Sequence, residues 1–121
     1  GLDSQRAFRK RFSRATAGAD DLAAVLRGLD PDRFTLLMAH EPDIFARVPD
    51  HVDLTVSGHT HGGQIRPFGK AMLVPSAFGT RYAYGHITQG QRQLIVSGGL
   101  GVSGLPLRWN MPPEVTLVEV S

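Results

Sequence analysis

The stretch VDLTVSGHTHGGQ, residues 52–64, constrains this chain more than any other. It sets His59 and His61 one residue apart, directly after an apolar alternating run, with Gly58, Gly62 and Gly63 around them. A strand that only has to turn needs no imidazole at its end. Glycines that accept left-handed backbone can aim two such rings into one site, and a metal centre is what profits from that. Val52, Leu54 and Val56 in alternation make the preceding run a strand, so the fold has a sheet beneath the histidines.

A second apolar run, RFTLLMAH, lies between Pro31 and Pro42 and ends in His40. Its near-continuous apolar character predicts a strand buried on both faces, as parallel strands are. HEPDIFARV then reads as a short helix with Pro42 in its first turn. His40, His59 and His61 therefore stand at the C-terminal ends of the two best strands. Open α/β sheets bind ligands there, and neutral imidazole is the commonest metal-ligating side chain. Glu41 and Asp43 beside His40 suit ligands, partners of ligands or the acidic start of a helix, the last preferred for Asp43. His51, next to Asp50 in a loop, and His86, within a hairpin strand, read as structural or surface residues.

Around this centre the pattern predicts helix over residues 4–28, with Ser4 as N-cap, Phe8 and Phe12 on one stripe, and an interruption at TAGAD. Arg6, Arg9, Lys10, Arg11 and Arg14 make its first part basic, which reads first as a solvated face. Downstream, AMLVPS, RYAYGHIT and RQLIVSGG are short strand candidates. ITQGQRQLIV reads as a hairpin with its loop at Gln89–Gly90, and EVTLVEV as a last strand. Strand and helix alternating, then a β meander, give an α/β core that runs into an antiparallel portion.

Composition closes several routes. At 121 residues, 41% hydrophobic and 20% charged, the chain suits one globular domain with a real core. A net charge of +2 attracts polyanions only weakly. The absence of cysteine removes disulfides, thiolate metal sites and thiol nucleophiles. No apolar run reaches membrane-spanning length, and GLDSQRAFRK has no signal-peptide core. The missing initiator methionine points to a piece of something longer.

GLGVSG satisfies G-x-G-x-x-G at Gly99, Gly101 and Gly104, but LPLRWNMPPE follows it. A dinucleotide fingerprint must open a helix, which those prolines forbid, so the loop is left to line a pocket. No serine triad, Walker lysine or nucleic-acid module appears, and Trp109 beside Pro112 and Pro113 reads as loop packing.

LLMAHEPD, VDLTVSGHTHGGQIR, VPSAFGTRYAYG and VSGGLGVSGLPLRWNMPPEVTLVEV together resemble the C-terminal half of the calcineurin-like metallophosphoesterases, in the bacterial phosphodiesterase branch. The resemblance runs over residues 34–121. It implies an α/β fold, the C-terminal portion of a β-sandwich flanked by helices in α/β/β/α layers, with residues 1–121 forming a partial domain. It also implies two divalent ions, manganese, iron or zinc, that activate water and clamp a phosphoryl group. By motif, His40 and His59 would ligate one ion and His61 the other, and Arg66 would contact substrate phosphate. The substrate is a phosphate ester, with lipid-linked and nucleotide-sugar pyrophosphates suggested by analogy, and a membrane surface or the cell envelope as its setting.

The family's D-x-H, G-D and G-N-H-D/E motifs have no counterpart here, since Asn110 is the sole asparagine. The catalytic residues are therefore expected upstream of Gly1. Two other readings need only this chain: a mononuclear zinc hydrolase or hydratase on three histidines, and a non-catalytic fragment that binds anionic surfaces through its basic start.

Overall fold

The computed structural model describes residues 1–5 and 20–121, together with a short backbone pairing between them. In that pairing β1 (Phe8–Arg9) and β2 (Thr16–Ala17) run antiparallel. They replace helix over part of the span 4–28; the rest of that expected helix, and the side chains of the basic cluster, lie outside the described residues. Among the described residues of that span, helix is found as α1 (Leu22–Leu26), capped by the Asp21 carboxylate, which accepts from the Ala24 amide. Five residues are too few for a helix to hold by itself. Leu22, Val25 and Leu26 anchor this one against the core.

One four-stranded sheet carries the fold. It consists of β3 (Leu36–Met38), β4 (Leu54–Ser57), β5 (Gly85–Gln89) and β6 (Arg92–Val96), in the order β3-β4-β6-β5. The pairs β3/β4 and β4/β6 are parallel, and β5/β6 is the antiparallel hairpin expected from ITQGQRQLIV. Between β3 and β4 the chain forms a 3-10 helix, Pro42–Arg47, with proline at its start as the sequence predicts. Sheet residues Leu37, Leu94 and Val96 meet Ile44 and Phe45 from that helix, Val48 just after it and Tyr82 from the loop before β5. Phe45 and Tyr82 pack edge to face with ring centroids 5.8 Å apart. Arg92 of β6 fastens the helix by donating to the Phe45 and Val48 carbonyls.

The structure corrects the two-face burial expected of β3. Leu37 is buried, but its neighbours Leu36 and Met38 are 47% and 60% exposed. The register sets Leu36 beside Leu54 and Met38 beside Val56, with Ile95 beyond Val56 in the same row, on the face away from the 3-10 helix. That face is apolar and open at β3. AMLVPS and EVTLVEV form no strand. The second is an extended tail with Val115 and Leu117 more than 80% exposed, and among the described residues no neighbouring strand offers it hydrogen bonds.

Candidate metal centre

Parallel pairing explains how residues 19 apart in sequence meet. β3 leads through Ala39 to His40, and β4 leads through Gly58 to His59. The ladder continues past both strands, with the Ala39 amide donating to Val56 and the Gly58 amide to His40. His40 Nε2 and His59 Nδ1 consequently lie 3.0 Å apart, their rings at 70°. Two nitrogens each about 2.0–2.1 Å from a common ion and at a near-right angle are about 3 Å apart. The donor set therefore fits a shared divalent ion. Its chemistry of imidazole with a carboxylate nearby suits manganese, iron or zinc.

Glu41 completes the group: a carboxylate oxygen and one ring nitrogen of each histidine lie within 4.8 Å of one another. Glu41 is buried, and its oxygens accept from the Ser4 hydroxyl at 2.5 Å and the Gln5 amide at 3.1 Å. Burial pushes its carboxyl pKa up. Those two hydrogen bonds and the neighbouring His40 and His59 outweigh it, and the net shift is downward. The first residues reach this position because the Leu2 amide donates to the Met38 carbonyl, continuing the sheet beside β3. Asp43 is no part of the group. It accepts from the Ser76 hydroxyl at 2.5 Å and the Ala77 amide at 2.7 Å, and so holds down the 76–77 loop.

The histidine loop is tightly wound. His59, His61, Gly62, Gly63 and Gln64 all have positive φ, between 40° and 80°, which costs the non-glycine members about 1 kcal/mol or more each. Contacts around the loop hold that strain. Thr60 is buried and its hydroxyl donates to the Ala83 carbonyl at 2.6 Å. Met111 is buried against Gly62 and Gly98, where a Cβ would come within 2.6 Å and 2.3 Å of its thioether end. Arg108 spreads its guanidinium over the carbonyls of Gly98 (3.0 Å), His61 (3.4 Å), Gly101 (2.5 Å) and Met111 (2.6 Å). Sequence reasoning passed over Thr60, Met111 and Arg108, since nothing local marks a residue that acts across 20 to 50 positions.

His61 lines the same cavity as His40 and His59, a space of about 850 Å³, but stands outside their close cluster. Ile65, Met72, Leu73 and Val74 from one stretch of the chain line it, with Val102 and Leu105 from another. The glycine-rich GLGVSG loop thus lines a pocket, as its sequence left open. Arg66 is not brought to the cavity wall. Its Nε and Nη2 donate to the Gly69 carbonyl at 3.2 and 3.0 Å, and it lies 5.5 Å from the Tyr84 ring centroid. His51 is exposed, and His86 contacts Gln93 Oε1 at 2.9 Å across the hairpin. Among the described residues no helix is long and apolar enough to cross a membrane.

No family model matches the chain, and no solved structure matches it. Curated proteins do. The metallophosphoesterase YkuE of Bacillus subtilis is 39% identical over 102 residues, which is 83% of this chain and 35% of that protein. The phosphodiesterase YaeI of Escherichia coli is 39% identical over 90 residues, 70% of this chain and 32% of that protein. A bovine protein described as a transmembrane protein with a metallophosphoesterase domain is 37% identical over 101 residues, 79% of this chain and 22% of that protein. The chain spans about a third or less of the length of these relatives. Over that span it shares their sequence, and it belongs to the metallophosphoesterase family.

Proposed function

We propose that the full-length protein hydrolyses phosphate esters with divalent metal, and that this chain supplies the histidine side of the metal site. The observation that carries the reading is the 3.0 Å approach of His40 Nε2 to His59 Nδ1 at the ends of two adjacent parallel strands. Held there, a divalent ion supplies Lewis-acid polarisation of a phosphoryl oxygen and lowers the pKa of water. His40 and His59 would hold one such ion. His61, on the same cavity but apart from that pair, suits a second ion.

The chain's own residues do the positioning. Glu41 holds Ser4 and Gln5 against the histidine pair. Thr60, Arg108 and Met111 fix the loop so that the rings need not reorganise when substrate arrives. A phosphate contact by Arg66 would require it to leave the Gly69 carbonyl. The remaining ligands belong to the part of the relatives' length that this chain does not span. The open apolar face bearing Leu36, Met38 and Val56 suits a second sheet packed against β3 and β4, which would complete the sandwich layering.

Family membership favours phosphoester hydrolysis over hydration at a lone zinc on three histidines. The test is turnover of a bis-aryl phosphodiester by the full-length protein with manganese. Turnover that disappears in His59→Ala is the expected result; no turnover with manganese, zinc, iron or cobalt would overturn the reading.

A further inference from the structure

Resting on that reading, we propose that the substrate carries its phosphate on an extended alkyl or acyl chain, seated in the apolar trough beside His40, His59 and His61. The trough includes the three imidazoles, and its apolar lining comes from two different parts of the chain, Ile65 with Met72, Leu73 and Val74, and Val102 with Leu105. Met72, Leu73 and Leu105 are 74%, 84% and 60% exposed. Large apolar side chains gathered around a polar centre mark a binding surface more than a solvated one.

The side chains of Gln64 and Thr60, which could read another substrate, are already engaged. Gln64 spans the trough: its Nε2 donates to the Leu105 carbonyl at 2.9 Å, and its Oε1 accepts from the Ser103 amide at 2.7 Å. The Thr60 hydroxyl is committed to Ala83. Among the described residues no lysine, arginine, phenylalanine, tyrosine or tryptophan lines the cavity, and its aromatic rings are the three imidazoles; the guanidinium groups of Arg66 and Arg108 are turned to backbone carbonyls. The proposed ions would meet the charge of a nucleoside diphosphate, but its base needs a stacking face or a free amide. Beyond the imidazoles, the described lining provides neither. A hydrocarbon chain asks only for apolar contact, and receives it on both sides.

The experiment uses the full-length protein with manganese and a series of 4-nitrophenyl alkyl phosphodiesters, methyl, butyl and octyl, kept below micellar concentrations. The leaving group is constant, so the series reads only the retained chain. KM should fall by about twofold to fourfold per methylene while the chain remains in the trough, with kcat nearly constant, and Leu73→Gln should flatten the trend. Equal KM for methyl and octyl esters, both turned over, would overturn this inference and leave the phosphoesterase reading standing. Absence of turnover for every ester would overturn that reading instead. Equilibrium binding of octyl phosphate against methyl phosphate then decides the trough by itself: tighter binding of the octyl compound supports it, and equal binding sinks it. A flat series with Leu73-dependent binding to phosphatidylcholine vesicles would reassign the trough to a membrane contact.

Discussion

Nε2 of His40 and Nδ1 of His59 face each other at 3.0 Å, on loops that leave neighbouring parallel strands at the same end of the sheet. If the two share an ion, His40→Ala and His59→Ala should each weaken metal binding by more than the roughly 10- to 100-fold typical of losing an outer hydrogen-bond partner. His51→Ala and His86→Ala, both exposed and outside the cavity, should leave it unchanged. Competition with a chelating dye reads all four.

Gly63 and Gly69 separate steric from conformational cost. Both have positive φ, 80° and 78°. A Cβ on Gly63 would lie 2.3 Å from the Ala71 Cβ, whereas one on Gly69 meets nothing within 4 Å. Gly69→Ala should cost about 1 kcal/mol. Gly63→Ala should cost about 2–4 kcal/mol, since overpacking adds to the same backbone strain. Urea denaturation of the two variants should show that gap.

Arg108 ties the His61 backbone to the Gly98–Gly101 loop through a planar fork. Lysine cannot reproduce a fork that serves four carbonyls. Arg108→Lys should therefore destabilise the fold by about 1–3 kcal/mol and lower metal affinity as the loop loosens. Wild-type affinity in Arg108→Lys would remove Arg108 from the site's support.

The Glu114 carboxylate accepts from the Tyr84 hydroxyl at 2.6 Å and the Gly98 amide at 2.8 Å, tying the tail to the loop after β6. The Tyr84 bond, against the opposing effect of burial and with help from Gly98, Ser97 and Thr116, holds the Glu114 pKa below the ordinary 4.5. The same bond raises Tyr84 above the ordinary 10.0. A depressed acid contributes stability that is present above its unfolded pKa and lost as pH falls through the folded value. A raised phenol contributes below its unfolded pKa and loses that contribution as pH rises through the folded value. The pair should hold fully between about pH 5 and about pH 9.5. Tyr84→Phe should flatten the acid limb of a melting-temperature profile measured from pH 7 down to pH 3.

The convergence of His40 and His59 was more legible than the fold. His40 and His59 announce themselves because strand patterning and glycine spacing are local signals, and adjacent parallel strands bring their ends together. Strand β4, the Pro42–Arg47 helix and the β5/β6 hairpin follow from the same local cues. β3 does not read correctly, because burial of Leu36 and Met38 depends on a neighbour that the pattern cannot name. EVTLVEV has strand propensity but no partner strand among the described residues, and propensity without a ladder leaves an extended tail. Amphipathic spacing at Phe8 and Phe12 promised helix, yet the backbone at Phe8–Arg9 pairs with Thr16–Ala17. Arg66 sits near the histidine loop in sequence, but the nearby Gly69 carbonyl and Tyr84 ring capture its guanidinium.

The most direct test of a shared ion is the metal content of the full-length protein beside its His40→Ala, His59→Ala and His61→Ala variants, singly and in pairs. One equivalent should be lost in His40→Ala, one in His59→Ala and no more in the two combined, while adding His61→Ala removes a second. Losses that add between His40 and His59, or an unchanged metal content in either variant, would contradict the shared site.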